Sequence, residues 1–481
     1  MTGTTGTGVR DTATLLQLVE SELAPTLADG ALSTDPDVLE SYSRDEALFC
    51  PADGAVALVR ATTVADVQAT LRFASAYRIP VVPQGARSGI SGGANAVPGC
   101  LLLSVERMSR ILAVDVAERS VTVEPGVINQ DLKNAVAEHG LSYPPDPGSV
   151  AISSIGGNVA TNAGGLCCVK YGVTKDYVRR LTVVLADGTL ATLGTGTAKG
   201  VAGLDLRGLF VGSEGTLGVI VEITLRLVPL LPEPLTAVAT FTDERSAAAT
   251  VADFMASGAQ PSMLESLDRT TLRLLNEYGD FGLDDRAGAM LLMQSDGSGN
   301  RAAALAEVES FTARAEANGA LDTGYSEDTA DNEALVATRR LAQPAYERYA
   351  QAHGGGQLLD DICLPRARMP EFYDGLDRVR ATSGLTIAVV AHAGDGNIHP
   401  SVFFDARDPA DVERAERAFE EIMRLGLELG GTITGEHGVG YLKREWLPRE
   451  LDEGNRRLHR AVKEALDPDG ILNPGKMFAD L

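Results

Sequence analysis

PPDPGSVAISSIGGNVATNAGG, residues Pro144–Gly165, is a run of twenty-two residues made largely of glycine, serine, alanine, asparagine and threonine, set in a chain of ordinary composition. Such a stretch exposes backbone N–H donors and small hydroxyls while excluding bulk, which suits an extended dinucleotide lying along it. A plain connection does not need this length. The run is therefore read as one wall of a cofactor site, and a fold that can present it follows from its neighbours.

Two further glycine segments flank it. PQGARSGISGG (Pro83–Gly93) follows the strand-like IPVV and carries four glycines with Ser88 and Ser91; its backbone can approach a pyrophosphate closely, although a tight turn explains this segment alone equally well. GLFVGSEGTLGVIVEITLRL (Gly208–Leu227) takes a glycine turn into a strand beginning at Gly218. None has the G-x-G-x-x-G spacing of a nicotinamide site between strand and helix, GTGTAKG (Gly194–Gly200) is wrongly spaced for it, and no Walker A sequence occurs. GISGG (Gly89–Gly93) matches the nucleophile-elbow string with Ser91, but lies in a longer glycine run, so chance is the better account.

With 481 residues the chain is expected to form two or three domains. It is 44% hydrophobic and 22% charged, without the about 18 consecutive apolar residues that span a bilayer. MTGTTGTGVR at the start lacks the apolar core of a secretory signal and is read as a frayed end, so a cytoplasmic protein is expected. A net charge of −24 argues against a nucleic-acid partner. The five cysteines are scattered and never spaced C-x-x-C, which argues against disulfides and structural zinc; Cys167 and Cys168 read as packing residues.

Periodicity predicts an N-terminal helix within 11–30, then strands (VALV, VVP, LLLSV, VTVEPG, LTVVLADG, GVIVEITLRLV) alternating with helices at 64–78 and 129–139, an α+β or α/β arrangement. PLLPEP (Pro229–Pro234) reads as a linker. Beyond it TAVATF and AMLLMQ read as strands, and 245–257, 300–318 and 411–429 as helices, the last capped by Asp411. The order suggests an antiparallel sheet with helices on one face. The domains expected are 1–36, a helical segment; 37–230, flavin-binding; 231–430, substrate-binding; and 431–481, a tail that completes the site.

The polar signal lies in that second half. In AVVAHAGDGNIHPSV (Ala388–Val402) a strand ends at His392, AGDGN turns, and His399 opens the next strand, so the imidazoles face one another across a hairpin mouth. A hydrogen-bonded structural pair is the alternative to a metal site. GGTITGEHGVG (Gly430–Gly440) adds Glu436 and His437; two histidines and a carboxylate with an open position recur in Zn, Mn and Fe sites, leaving His437 free as a base. Arg339, Arg340 and Lys443 are the candidate cations for an acid substrate, each against the reading of a solvated helix face. His139, His353 and His459 read as surface residues.

Taken together, PQGARSGISGG, SIGGNVATNAGG, KYGVTKDYV, LFVGSEGTLGVI, HAGDGNIH, GEHGVG and LNPGKMF resemble the FAD-linked D-2-hydroxy acid dehydrogenases, flavoproteins of the vanillyl-alcohol-oxidase type that include D-lactate dehydrogenases and the flavin subunit of glycolate oxidase. The match runs in order from about Ser43 to the C-terminus. It implies an α+β fold: a two-subdomain FAD-binding domain of the p-cresol-methylhydroxylase (PCMH) type, an antiparallel-sheet cap domain, and a tail returning to the flavin domain.

The resemblance also implies roles. FAD would be held in the first loop by Pro83, Gly85, Ala86, Arg87, Ser88, Gly89, Ser91 and Gly92. In the second segment the contacts would be Pro147, Gly148, Ser149, Ser154, Gly156, Gly157, Asn158, Thr161, Asn162, Gly164 and Gly165. Glu214, Gly215, Gly218, Val219 and Ile220 would line the third, with Asn473 as another flavin neighbour. Relatives with covalent flavin often attach it to a histidine in the first loop; none stands there, so non-covalent FAD is expected. His392, His399 and Glu436 would hold a divalent metal, zinc first and Mn or Fe as alternatives, with His437 as general base and Arg339 anchoring the substrate carboxylate. Metal-assisted proton abstraction with hydride transfer to FAD would then oxidise a small D-2-hydroxy acid, the electrons passing to a quinone, cytochrome or electron-transfer protein. A homodimer and peripheral contact with the inner face of the membrane are both compatible with it.

Departures narrow the substrate. Arg87 replaces a more usual glycine and Ser88 a threonine. In LLDDICLP (Leu358–Pro365) relatives acting on D-2-hydroxyglutarate tend to carry a lysine near Leu359, and here that place is apolar, which points to a monocarboxylate such as D-lactate. D-2-hydroxyglutarate and glycolate are the alternatives within the family, and a metal-dependent hydrolase with structural glycine loops is the alternative outside it.

Overall fold

The computed structural model describes residues 12–479 apart from 48, 280 and 285, so the frayed end read in the first ten residues lies outside it. The N-terminal helix is a composite: α-helical over Thr12–Leu18, a π turn over Val19–Leu23 and a 3₁₀ turn over Ala24–Thr26. Val19 and Leu23 are fully buried in the first core.

Three short parallel strands, Ala57–Arg60, Leu101–Ser104 and Val81–Gln84, make a sheet closed on its far side by Leu32–Ser33. Their apolar runs are buried on both faces, as parallel strands require. The helix Val64–Tyr77 begins in a Thr63/Asp66 capping box and sets Val67, Leu71 and Ala74 in this core. A second sheet is antiparallel, in the order Ile111–Asp115, Ser120–Val123, Val219–Arg226, Val178–Val184 and Leu190–Gly194. The chain's end returns to the first sheet: the Val81 N–H donates to the Ile471 carbonyl at 2.8 Å and the Asn473 N–H to the Val81 carbonyl at 2.8 Å.

After the prolines of 229–234 comes one large antiparallel sheet. Its order is Asp322–Ser326, Leu235–Phe241, Ala289–Ser295, Met263–Asp268, Thr386–His392, Asn397–Asp405 and Gly355–Leu359, with Ile362–Cys363 also paired to Asn397–Asp405. The expectation of helices on one face is corrected. Glu244–Ala256, Arg301–Ala317, Met369–Ser383 and Pro409–Glu428 pack one face with Ile387, Val389 and Ala391, while Arg269–Gly279 and Ala342–Ala352 pack the other with Ala388 and Val390. Both alternating sets in this sheet are apolar, so each needs a cover. Helix Pro409–Glu428 is capped not by Asp411 but by Asp408, whose side chain accepts from the Ala410 N–H; Asp411 instead accepts from the Asp405 N–H.

Candidate active site

Period-2 alternation puts His392 on the same face as Ala388 and Val390, beneath the helices that cover it. The hairpin turns over Ala393–Gly396, and Asn397 already belongs to the second strand. His399 therefore lies directly across from Val390, with His392 diagonal to it, a correction to imidazoles facing squarely across the mouth. The rings still meet, 5.1 Å apart and nearly perpendicular.

The Gly435–Gly438 turn delivers the rest. One oxygen of Glu436, Oε1, lies 3.2 Å from His392 Nε2, 3.3 Å from His399 Nε2 and 3.5 Å from His437 Nε2. Both ring nitrogens of His399 are buried without a hydrogen-bond partner. A buried imidazole without a well-formed hydrogen bond costs free energy unless something occupies its lone pair. Nitrogen lone pairs and a carboxylate converging within 4.8 Å are a donor set for a divalent cation. Burial alone would lower His392, but Glu265 and Glu436 beside it hold it well above its ordinary value. Burial lowers His399 below its ordinary value. Burial would raise Glu436, but the surrounding imidazoles hold it well below the usual carboxylate range.

A cavity of about 950 Å³ runs from this cluster to the three glycine segments, at the large end of the range for cofactor pockets. His392, His399, Glu436, His437 and Arg339 line it, as do all the residues singled out in those segments except Gly92, Asn162 and Gly165. Gly92 packs against Cys50, where a Cβ would meet Sγ at 2.9 Å. Asn162 ends the helix Ile155–Thr161 in the left-handed region and accepts from the Lys175 N–H. Gly165 presses against the Asp146 carbonyl. Asn473 also stands off the cavity; its amide donates at 2.8 Å to the carbonyls of Gly93 and of Glu214, pinning two loops together. Glu214 lines the wall, but its carboxylate accepts at 2.7 Å from both the Val439 and Gly440 N–H groups and so latches the His437 turn to the third glycine segment. Burial pushes it up to about 7.

Ser154 joins the first two segments: its hydroxyl accepts from the Ala86 N–H and the Gly157 N–H, each at 3.3 Å. Gly164 passes so close to Glu436 that a Cβ would lie 2.6 Å from its Oε2, which ties the second segment to the polar cluster. Ser153 Oγ and Asn158 Nδ2, buried without partners, face the same cavity and fit a polar ligand laid along it.

Arg339 is more committed than the sequence suggests. Its Nη2 forms a 2.8 Å ion pair with Glu265 Oε2, and Glu265 Oε1 in turn takes His392 Nδ1 at 2.7 Å. Arg340 stands 3.6 Å from Asp146, and Lys443 is buried against Asp360 at 2.8 Å, so Lys443 anchors structure and does not reach the cavity. Sequence reading missed Glu265, Asp361 and Asn397. Asp361 Oδ2 accepts from the N–H groups of Gly435, Glu436 and His437 and from Thr434 Oγ1, and Oδ1 accepts from Asn397 Nδ2. The available signal was an acid beside leucines in MLESLD and LLDDIC.

A family model described as FAD linked oxidases, C-terminal domain, matches residues 232–477, and one described as FAD binding domain matches 55–194. The chain belongs to the FAD-linked oxidases. This FAD-linked oxidase is 40% identical over 415 residues to the glycolate oxidase subunit GlcD of Bacillus subtilis (strain 168), covering 86% of this chain and 87% of that one. It is 33% identical over 454 residues to the D-lactate dehydrogenase of Anaerostipes hadrus, covering 92% and 93%. In fold it is similar to the 4-ethylphenol oxidase of Gulosibacter chungangensis, with a TM-score of 0.80 at 21% identity over 98% of both chains, and to p-cresol methylhydroxylase, with 0.80 at 18% over 98% of both. The expected α+β fold of the PCMH type holds, and the FAD-linked oxidase is an oxidoreductase of the D-lactate dehydrogenase and glycolate oxidase type; the hydrolase alternative falls. Among the described residues no helix is long and apolar enough to cross a membrane.

Proposed function

We propose that this FAD-linked oxidase oxidises a small D-2-hydroxy acid, D-lactate or a close homologue, to the 2-keto acid, with a divalent cation held by His392, His399 and Glu436. The observation that carries the reading is the convergence of three imidazole Nε2 atoms on one Glu436 oxygen beside an unpaired, buried His399, at the end of the cavity lined by the glycine segments. When bound, FAD supplies a two-electron acceptor and the cation a Lewis acid. His437, 17% exposed at its side chain and stacked on His399 at 4.8 Å, is the residue placed to take the hydroxyl proton at Nε2. Arg339 spends one nitrogen on Glu265; its Nε is buried without a partner and is available to a substrate carboxylate at the cavity wall. Pro83–Gly93 and Asp146–Gly165 embrace the cofactor without a covalent link.

Leu359 supports the short substrate. It pairs with Ser401, two residues beyond His399 on the same strand, and lines the same cavity, so a second carboxylate would meet an apolar side chain there. The test is anaerobic bleaching of the purified flavoprotein by D-lactate, glycolate, D-mandelate and D-2-hydroxyglutarate, before and after chelation. D-Lactate should bleach fastest, and verified metal removal should abolish bleaching until metal is restored. D-2-Hydroxyglutarate turning over at least as fast as D-lactate overturns the substrate, and bleaching indifferent to metal removal overturns the cation's role.

A further inference from the structure

Asp361 is fully buried at the floor of the cluster, yet it belongs to neither the His392–His399–Glu436 set nor the cavity lining. Its Oδ1 lies 3.6 Å from His399 Nδ1 and its Oδ2 lies 3.9 Å from His437 Nδ1. Those two rings are stacked 17° from parallel, and their opposite nitrogens both face Glu436 Oε1. One carboxylate thus addresses the Nδ1 side of both imidazoles, and another the Nε2 side.

Direct ligation by Asp361 is disfavoured by its own company. Five N–H and O–H donors already point at it, from Thr434, Gly435, Glu436, His437 and Asn397. A cation placed among those positive hydrogen ends would be repelled by them, whereas Glu436 Oε1 is met by imidazole nitrogens able to offer lone pairs. The same donors hold the carboxylate immobile between the hairpin, through Asn397, and the glycine turn, through three consecutive N–H groups.

We propose that Asp361 is the positioning residue of this site, fixing His399 and His437 as Nδ1–H tautomers so that both Nε2 lone pairs are presented at Glu436, one for the cation and one for the substrate proton. Both Nδ1 distances exceed a hydrogen bond, so the attraction is electrostatic at this geometry. The inference deepens the reading of His399 as ligand and His437 as base and rests on it for its consequence.

The test has two arms on the FAD-loaded full chain. In the first, ¹⁵N-histidine-labelled, metal-depleted wild type is observed by long-range ¹⁵N–¹H correlation at a pH where the imidazoles are neutral, with His399→Gln and His437→Gln used for assignment. Both rings should report Nδ1–H, and an Nε2–H signature for either overturns the proposal. In the second, Asp361→Asn is compared with wild type for FAD content, melting temperature and cation affinity by chelator competition. A folded, yellow variant should bind the cation about 10–100-fold more weakly and show Nε2–H at one ring or both. Folded variant with affinity within about twofold of wild type and unchanged tautomers overturns it. Should the variant fail to fold, the wild-type spectrum decides. Should wild type bind no cation at all, the proposed function fails, and the tautomers still decide for or against Asp361.

Discussion

Nη2 of Arg339 lies 2.8 Å from Oε2 of Glu265, while the other oxygen of that carboxylate takes Nδ1 of His392 at 2.7 Å. Glu265 is thus the hinge between the side chain assigned to the substrate carboxylate and the side chain assigned to the cation. A carboxylate behind a ligating histidine fixes the ring and raises its basicity. On the proposed reading, the substrate anchor and the cation ligand share one group.

Glu265→Gln tests that link. It keeps the shape and removes the charge, leaving a guanidinium whose side chain is only 10% exposed without its partner. Breaking a buried pair from one side costs about 3–5 kcal/mol, so chemical denaturation should show a loss on that order. Cation affinity by chelator competition should fall about tenfold or more, with FAD content unchanged. Unaltered cation affinity would mean that His392 does not need Glu265.

His437→Ala separates base from ligand. Losing a general base costs about 10²–10⁴-fold in rate, so flavin reduction by D-lactate in single turnover should slow within that range. Bound FAD and bound cation, measured by absorbance and elemental analysis, should stay at wild-type stoichiometry. Loss of the cation with this substitution would move His437 into the ligand set.

Arg87 holds φ at +60°, in the left-handed region where glycine is the ordinary occupant. Its guanidinium pays that cost back by lying 3.9 Å over the Tyr42 ring and 3.3 Å from Glu106, to which Tyr42 is also hydrogen-bonded. Arg87→Ala keeps the strained backbone and loses the anchor, whereas Arg87→Gly loses the anchor and relieves the strain. The alanine variant should therefore be less stable than the glycine variant by about 1 kcal/mol in paired urea melts. Equal stabilities would show that the loop relaxes.

Lys476 is 1% exposed, with its ammonium on the carbonyls of Gly93 and Asn95, and burial lowers it to about 8 from 10.5. The folded chain binds that proton less tightly than the unfolded chain, so the penalty is fully present below about pH 8 and is relieved as pH rises towards 10.5. Relative to Lys476→Met, the wild type should gain up to about 3 kcal/mol across that window. Denaturation of both proteins at about pH 8 and about pH 10 measures the difference, and a constant gap would place the ammonium in a better-compensated site.

The glycine segments were legible because their composition departs from the rest of the chain, and a cofactor that touches backbone leaves that mark on composition. The hairpin histidines were legible for a related reason: two imidazoles bracketing a turn are close whatever the rest of the fold does. Glu265 and Asp361 were not, since neither belongs to a recognisable motif, and only the pairing of Met263–Asp268 with Thr386–His392, and of Ile362–Cys363 with Asn397–Asp405, brings them beside the histidines. Gly92, Asn162, Gly165 and Asn473 show the converse: a motif residue can serve the loop's own geometry, and motif membership does not say which. The second helical cover went unread because the sheet's two faces are both apolar, which erases the alternation that would assign them.

The bond from Asn473 to Gly93 spans 380 residues. A chain leaving the ribosome amino end first exposes the loop at Gly93 long before its clasp exists; at about 5–20 residues per second the wait is about 20–80 s. Until then the Val81 strand has an open edge. Nascent chains stalled short of Ile471 should therefore be poor acceptors of flavin.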